Sequence, residues 1–69
     1  MVTVVHGVDS ESADLAGRTM QEVRMLYANV FNMPADATAK VNGKEVGENY
    51  VVQDNDKIAF EKKADKHAA

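Results

Sequence analysis

Few residues in this chain carry side chains able to do chemistry. There are two histidines, His6 and His67, and no cysteine. Without thiolates, a zinc site would need carboxylates to complete its ligand set beside an imidazole. His6 lies in a β-branched run and reads as a partly buried or strand-edge residue; His67 lies in a polar stretch and reads as solvated. Ser10 and Ser12 have no base in the same motif to activate a hydroxyl, so they read as turn residues rather than nucleophiles. Asp54 and Asp56 are spaced like two ligands of a calcium loop. The Lys57-Ile58-Ala59 that follows supplies no further side-chain oxygen, which favours a hairpin turn. Neither Gly43 nor Gly47 opens a helix, so neither belongs to a phosphate-binding loop. These residues predict no enzyme, no metal and no cofactor.

Bulk properties narrow the class further. The 69 residues suffice for one domain, and a chain of this size buries only roughly 60% of its unfolded surface. Stability must come from one small apolar core, since no disulfide is available. Eight basic and eleven acidic residues give a net charge of -3. That balance argues against general nucleic-acid binding, which is driven by basic side chains displacing counterions from phosphates. The charge is uneven: residues 1–36 hold two basic and five acidic groups, and residues 37–69 hold six of each. No apolar run approaches the ~20 residues of a membrane span, and no basic segment leads into an apolar one as in a secretory signal. A soluble cytoplasmic protein is the expectation, and the lack of cysteine fits a reducing compartment.

The elements that position these residues follow from periodicity and turn chemistry. Val2 to Val8 predicts a strand with Val2, Val4 and His6 on one face and Thr3, Val5 and Gly7 on the other. Asp9 to Ser12 reads as a polar turn. Ala13 to Ala16 reads as a short second strand anchored by Leu15 and ended by Gly17. Thr19-Met20-Gln21-Glu22 is a capping box, in which the Thr hydroxyl accepts from the Glu22 N–H and the Glu carboxylate accepts from the Thr19 N–H. Val23, Leu26, Tyr27, Val30 and Phe31 then form the apolar stripe of an amphipathic helix, with Arg24 and Asn29 off it. Met20, Met25 and Met33 around this helix read as core or edge filling. Pro34 disfavours helical geometry at Met33, so the helix should stop near Asn32.

Beyond the Pro34–Asp36 connector, Thr38 to Val41 and Lys44 to Val46 are predicted strands joined by Asn42-Gly43. That pair suits a type I′ turn, which needs positive φ at both central residues. Tyr50-Val51-Val52 is a short apolar step before a second turn, Gln53 to Asp56, and Lys57 to Lys62 is the last strand. The expected core is Val2, Val4, Leu15, Val23, Leu26, Val30, Ala39, Val41, Val46, Ile58 and Phe60. Residues 1–63 form the single expected domain, and 64–69 are expected to be a mobile tail. The order strand, short strand, helix and three strands predicts a two-layer α+β domain. Four to five strands form a mixed sheet, with one amphipathic helix packed on one face.

Several segments together resemble the β-grasp (ubiquitin-like) families of ThiS/MoaD-type sulfur carriers and TGS domains. Ala16 to Val23 is similar to the families' "G-x-T-v-x-e-l" helix opening. Ala39 to Val46 is similar to "a-x-V-N-G-x-x-V", and Tyr50 to Ile58 to "y-x-L-x-d-G-D-x-V". Asn55 stands where the families usually have Gly, a substitution that a left-handed conformation tolerates. Sulfur carriers end in a diglycine that is adenylated and converted to a thiocarboxylate. The sequence here reads Lys66-His67-Ala68-Ala69 with no Gly beyond Gly47, so sulfur carriage is not expected unless the native chain runs on to Gly-Gly.

With Val4, Val41, Ile58 and Phe60 facing the helix, Thr3, Val5, Lys40, Lys57, Ala59 and Glu61 face the other way. The resemblance implies that this open sheet face is a surface for binding another protein, as is common among ubiquitin-like proteins. The expected function is therefore a small non-enzymatic protein-binding module. Two alternatives stand beside it. One is a sulfur carrier or modifier with a lost or truncated diglycine tail. The other is a TGS-like RNA-associated module using Lys40, Lys44, Lys57, Lys62 and Lys63.

Overall fold

A computed structural model describes residues 1–34 and 36–61. Ala35, Lys62 at the end of the predicted last strand, Lys63 at the end of the expected domain, and the tail 64–69 lie outside the described residues. The chain runs β1 (Val2–His6), β2 (Asp9–Ala13), α1 (Met20–Tyr27), β3 (Thr38–Val41), β4 (Lys44–Glu45) and β5 (Lys57–Glu61). The strands form one five-stranded sheet in the order β2-β1-β5-β3-β4. β1 and β5 pair in parallel at the centre, and every other neighbouring pair is antiparallel. The sheet is therefore mixed, and the fold is the expected small α+β arrangement with one short helix.

The first hairpin differs from the sequence expectation. Asp9 to Ser12 is strand, not turn, and Ala13 to Ala16 is not a second strand beyond Ala13 itself. The reversal comes earlier, at Gly7-Val8, with His6 opposite Asp9. Gly7 has a φ of 62° and Val8 is not in the positive-φ region, the pattern of a II′ hairpin turn with Gly first. β1 is correspondingly shorter than the expected Val2–Val8. The polar β2 lacks apolar alternation because it is an edge strand with mostly exposed side chains; its backbone pairing to β1 suffices. Leu15 is buried as expected, but from a loop.

The helix start matches its capping box. The Thr19 hydroxyl accepts from the Glu22 N–H at 3.3 Å, and the Glu22 carboxylate accepts from the Thr19 N–H at 2.9 Å. Past Tyr27 the chain keeps one more helical turn, with the Phe31 N–H donating to the Tyr27 carbonyl. The regular helix thus ends at Tyr27, short of the expected stop near Asn32, and the turn that follows closes where Asn32 adopts a φ of 50° and the Met33 N–H reaches back to the Ala28 carbonyl at 3.0 Å. This is a Schellman-type cap with Asn in the left-handed position, followed by Pro34.

The helix presents a different stripe from the expected one. Met20, Val23, Tyr27 and Phe31 are buried, whereas Leu26 is 49% and Val30 61% exposed. The apolar surface of this segment is wider than the roughly 100° that one sheet face can cover. The rotation that wins buries Met20 at the cap and stacks Tyr27 on Phe31 at 5.1 Å between ring centroids. Phe31 also lies 6.5 Å from the half-buried His6 ring. Val46 packs against the core without being in it, and Met33, Ala37 and Val52 join it. Arg24, off the expected stripe, is not a free solvated cation: its guanidinium binds Glu48 and the Ala37 carbonyl and lies 5.4 Å from the Phe60 ring centre.

Met20 is completely buried, so Met20→Ala is expected to cost about 2–5 kcal/mol. Leu26→Ala, on the exposed flank, should change stability by no more than about 0.5 kcal/mol. Urea denaturation of the two variants checks which stripe faces the sheet.

Candidate binding surface on the open sheet face

Strand register decides which side chains share a face. Thr3 lies opposite Lys57 and Val5 opposite Ala59 across the central parallel pair. Ala59 lies opposite Lys40, and Glu61 opposite Thr38, across β5 and β3. These residues alternate with the buried Val4, Ile58, Phe60, Ala39 and Val41. All six positions expected on the open face, Thr3, Val5, Lys40, Lys57, Ala59 and Glu61, are therefore brought together there. Ser10 and Ser12, expected in a turn, extend the same face, because they pair with Val5 and Thr3. The Thr3 and Ser12 hydroxyl oxygens lie 3.4 Å apart.

This face is low in relief at its centre and charged at its rim. Thr3, Val5 and Ala59 are half-buried by their neighbours on the sheet, while Lys57 and Glu61 are exposed. Lys40 and Glu61 form a diagonal ion pair at 3.2 Å. Both groups are solvated, so the pair contributes little to stability.

The end of the face that carries Lys57 is positioned by a polar network that the sequence reading did not identify. Asp56 is buried, with 7% of its surface exposed. Its carboxylate accepts from the Tyr50 hydroxyl at 2.6 Å, from the Gln53 N–H at 2.9 Å and from the Asn42 side-chain amide at 3.3 Å. Asn42 in turn holds Lys57 from both sides. Its N–H donates to the Lys57 carbonyl at 2.9 Å, and its side-chain oxygen accepts from the Lys57 N–H at 3.2 Å. Burial works to raise the Asp56 pKa, but the donors from Tyr50, Gln53 and Asn42 outweigh it and hold the carboxyl below its ordinary value. The same hydrogen bond, reinforced by burial and the nearby charge, raises the Tyr50 phenol. Only the pairing of Asn-Gly with a later Asp after a Tyr hinted at this in the sequence, and nothing local says that the two turns meet.

The turn geometry itself was legible. Asn42 and Gly43 have φ values of 52° and 89°, and Asn55 a φ of 71°. Asp54 does not converge with Asp56; it pairs with the Met1 amino group at 2.6 Å on the surface. Among the described residues no group of three His, Cys, Asp or Glu side chains could hold a metal ion. Among the described residues no helix is long and apolar enough to cross a membrane. Two shallow depressions flank the fold. One, of about 280 Å³, is lined by Val41, Asn42, Lys44, Val46 and Tyr50. The other, of about 350 Å³, lies on the outer helix flank among Arg18, Glu22, Met25 and Leu26.

Asp56→Asn replaces one or more acceptor contacts with a donor facing donors, and is expected to cost about 1–3 kcal/mol at neutral pH. Because the folded pKa of Asp56 is depressed, its contribution is present above the unfolded value of about 3.9 and is lost as pH falls through the lower folded value. Stability measured against pH should therefore fall less steeply in acid for Asp56→Asn than for the parent. No family model matches the chain, and no curated protein matches it either.

Proposed function

We propose that the chain is a β-grasp (ubiquitin-like), non-enzymatic module that binds another protein through the open face of its sheet. The mixed five-stranded sheet with a single helix on one side is compatible with that fold. The observation that carries the functional reading is the register itself. It assembles Thr3, Val5 and Ala59 into a small, low-relief apolar centre bordered by Lys40, Lys57 and Glu61. A partner can desolvate such a centre at little cost, while the rim charges fix orientation and exclude mismatched partners. The resemblance of the Asn42-Gly43 and Gln53–Asp56 segments to ThiS/MoaD and TGS domains supports the same reading by analogy.

Affinity capture from source-cell lysate, with and without nuclease, tests it. The expected result is a protein partner that survives nuclease and is lost by tenfold or more with Val5→Asp and with Lys57→Glu, both variants keeping the parental melting temperature within a few degrees. A partner retained equally by both variants overturns the assignment to this face. A partner set that vanishes with nuclease points to RNA instead.

A further inference from the structure

The two edges of the sheet are unequal. β4 is two residues long, too short to template another strand, whereas β2 presents five. The two-residue Gly7-Val8 loop makes His6 and Asp9 a hydrogen-bonded pair. Bonding then alternates along the antiparallel ladder, so Glu11 and Ala13 also turn their backbone groups toward β1. Ser10 and Ser12 therefore direct their N–H and C=O groups outward, away from the sheet. β2 contains no proline or lysine to blunt this edge.

The side chains on β2 select what can use it. Asp9 and Glu11 are exposed, and neither engages in an ion pair within the described residues. Glu11 lies close enough to Tyr27 that, after burial, its charge further raises the phenol pKa. Glu11 pairs with the buried Val4, which places it on the side of the sheet that carries the helix. The helix flank above is apolar. Arg24 reaches Ala37 and lies over Phe60, so its flank faces β5 and β3. At about 100° per residue, Leu26 and Val30 turn to the opposite flank, on the β2 side. They are 49% and 61% exposed.

We propose that the β2 edge accepts an extended segment of another polypeptide with Lys or Arg at alternate positions, which adds to the sheet as a sixth strand. The Ser10 and Ser12 backbone groups supply the ladder bonds. The helix-side basic residues lay their aliphatic stems against Leu26 and Val30 and bring their charges to Asp9 and Glu11. A second copy of this chain is a poor occupant. Antiparallel self-pairing through Ser10 and Ser12 sets Glu11 opposite Glu11, and pairing Ser10 with Ser10 sets Asp9 opposite Glu11; like charges so placed are destabilising. The inference is independent of the open-face reading, since it uses backbone groups at the edge and side chains on the helix side.

The test is a titration of the full chain with a short synthetic peptide alternating Lys with Val, followed by NMR and amide hydrogen exchange. Binding is expected to slow exchange at Ser10 and Ser12 and to weaken as salt rises. A peptide with Glu in place of each Lys should bind at least tenfold more weakly. Ser10→Pro removes an outward donor without touching the β1 ladder, a position an edge strand tolerates, and should cost tenfold or more in affinity. Glu11→Lys should do the same and carries the test if Ser10→Pro fails to fold. Val5→Asp and Lys57→Glu should leave peptide binding unchanged, which separates this edge from the open face. Equal binding of both peptides, full affinity in Glu11→Lys, or unprotected Ser10 and Ser12 amides would overturn the proposal.

Discussion

A buried carboxylate is costly unless donors surround it, and this small domain places one at Asp56, where four segments meet. Tyr50, Gln53 and Asn42 supply the donors. The Asp56 backbone carbonyl accepts from the Thr3 N–H at 3.0 Å. One residue thus ties the Asn42-Gly43 hairpin, the Tyr50 loop, the start of β5 and the start of β1 into a single arrangement. Since β1 and β5 are the central parallel pair, the register of the whole sheet is set at this end. A parallel pair has no hairpin of its own to fix its register, and here polar contacts between turns take that role.

The helix depends on that sheet more than on its own sequence. Eight residues are too few for a helix to persist in water by propensity. Its capping box gives it a defined start, and its burial of Met20, Val23 and Tyr27 against β1, β5 and β3 holds it in place. Arg24 then pins the flank facing β5 and β3 to Glu48 and Ala37. The same rotation that completes the core therefore exposes Leu26 and Val30.

A domain this small has little interior. Its buried positions are taken by core side chains and by the Asp56 network. What it offers to other molecules lies outside: the sheet face away from the helix, and the edge that no neighbouring strand covers. The face is built from side chains of four strands, while the edge is built from backbone. Recognition by side chains is tuned by composition, and recognition by an edge needs only an extended partner whose charges agree.

The sequence by itself determined the local devices. Thr19 and Glu22 cap the helix, Asn42-Gly43 and Asn55 turn the chain, and the alternation of β1, β3 and β5 sorts core from open face. Each of these depends on residues a few positions apart, where side-chain type and spacing fix the geometry. Only the tertiary structure decided the rest. Gly7 rather than Asp9 made the first turn, so β2 became an edge whose polar sequence carries no strand signal. Five apolar helix positions competed for one sheet face, and packing against His6 and the sheet chose among them. Asp56 reads locally as one more turn residue. Its burial follows from the approach of Tyr50 and Asn42 across the fold, and sequence spacing does not encode which distant donors will meet a carboxylate.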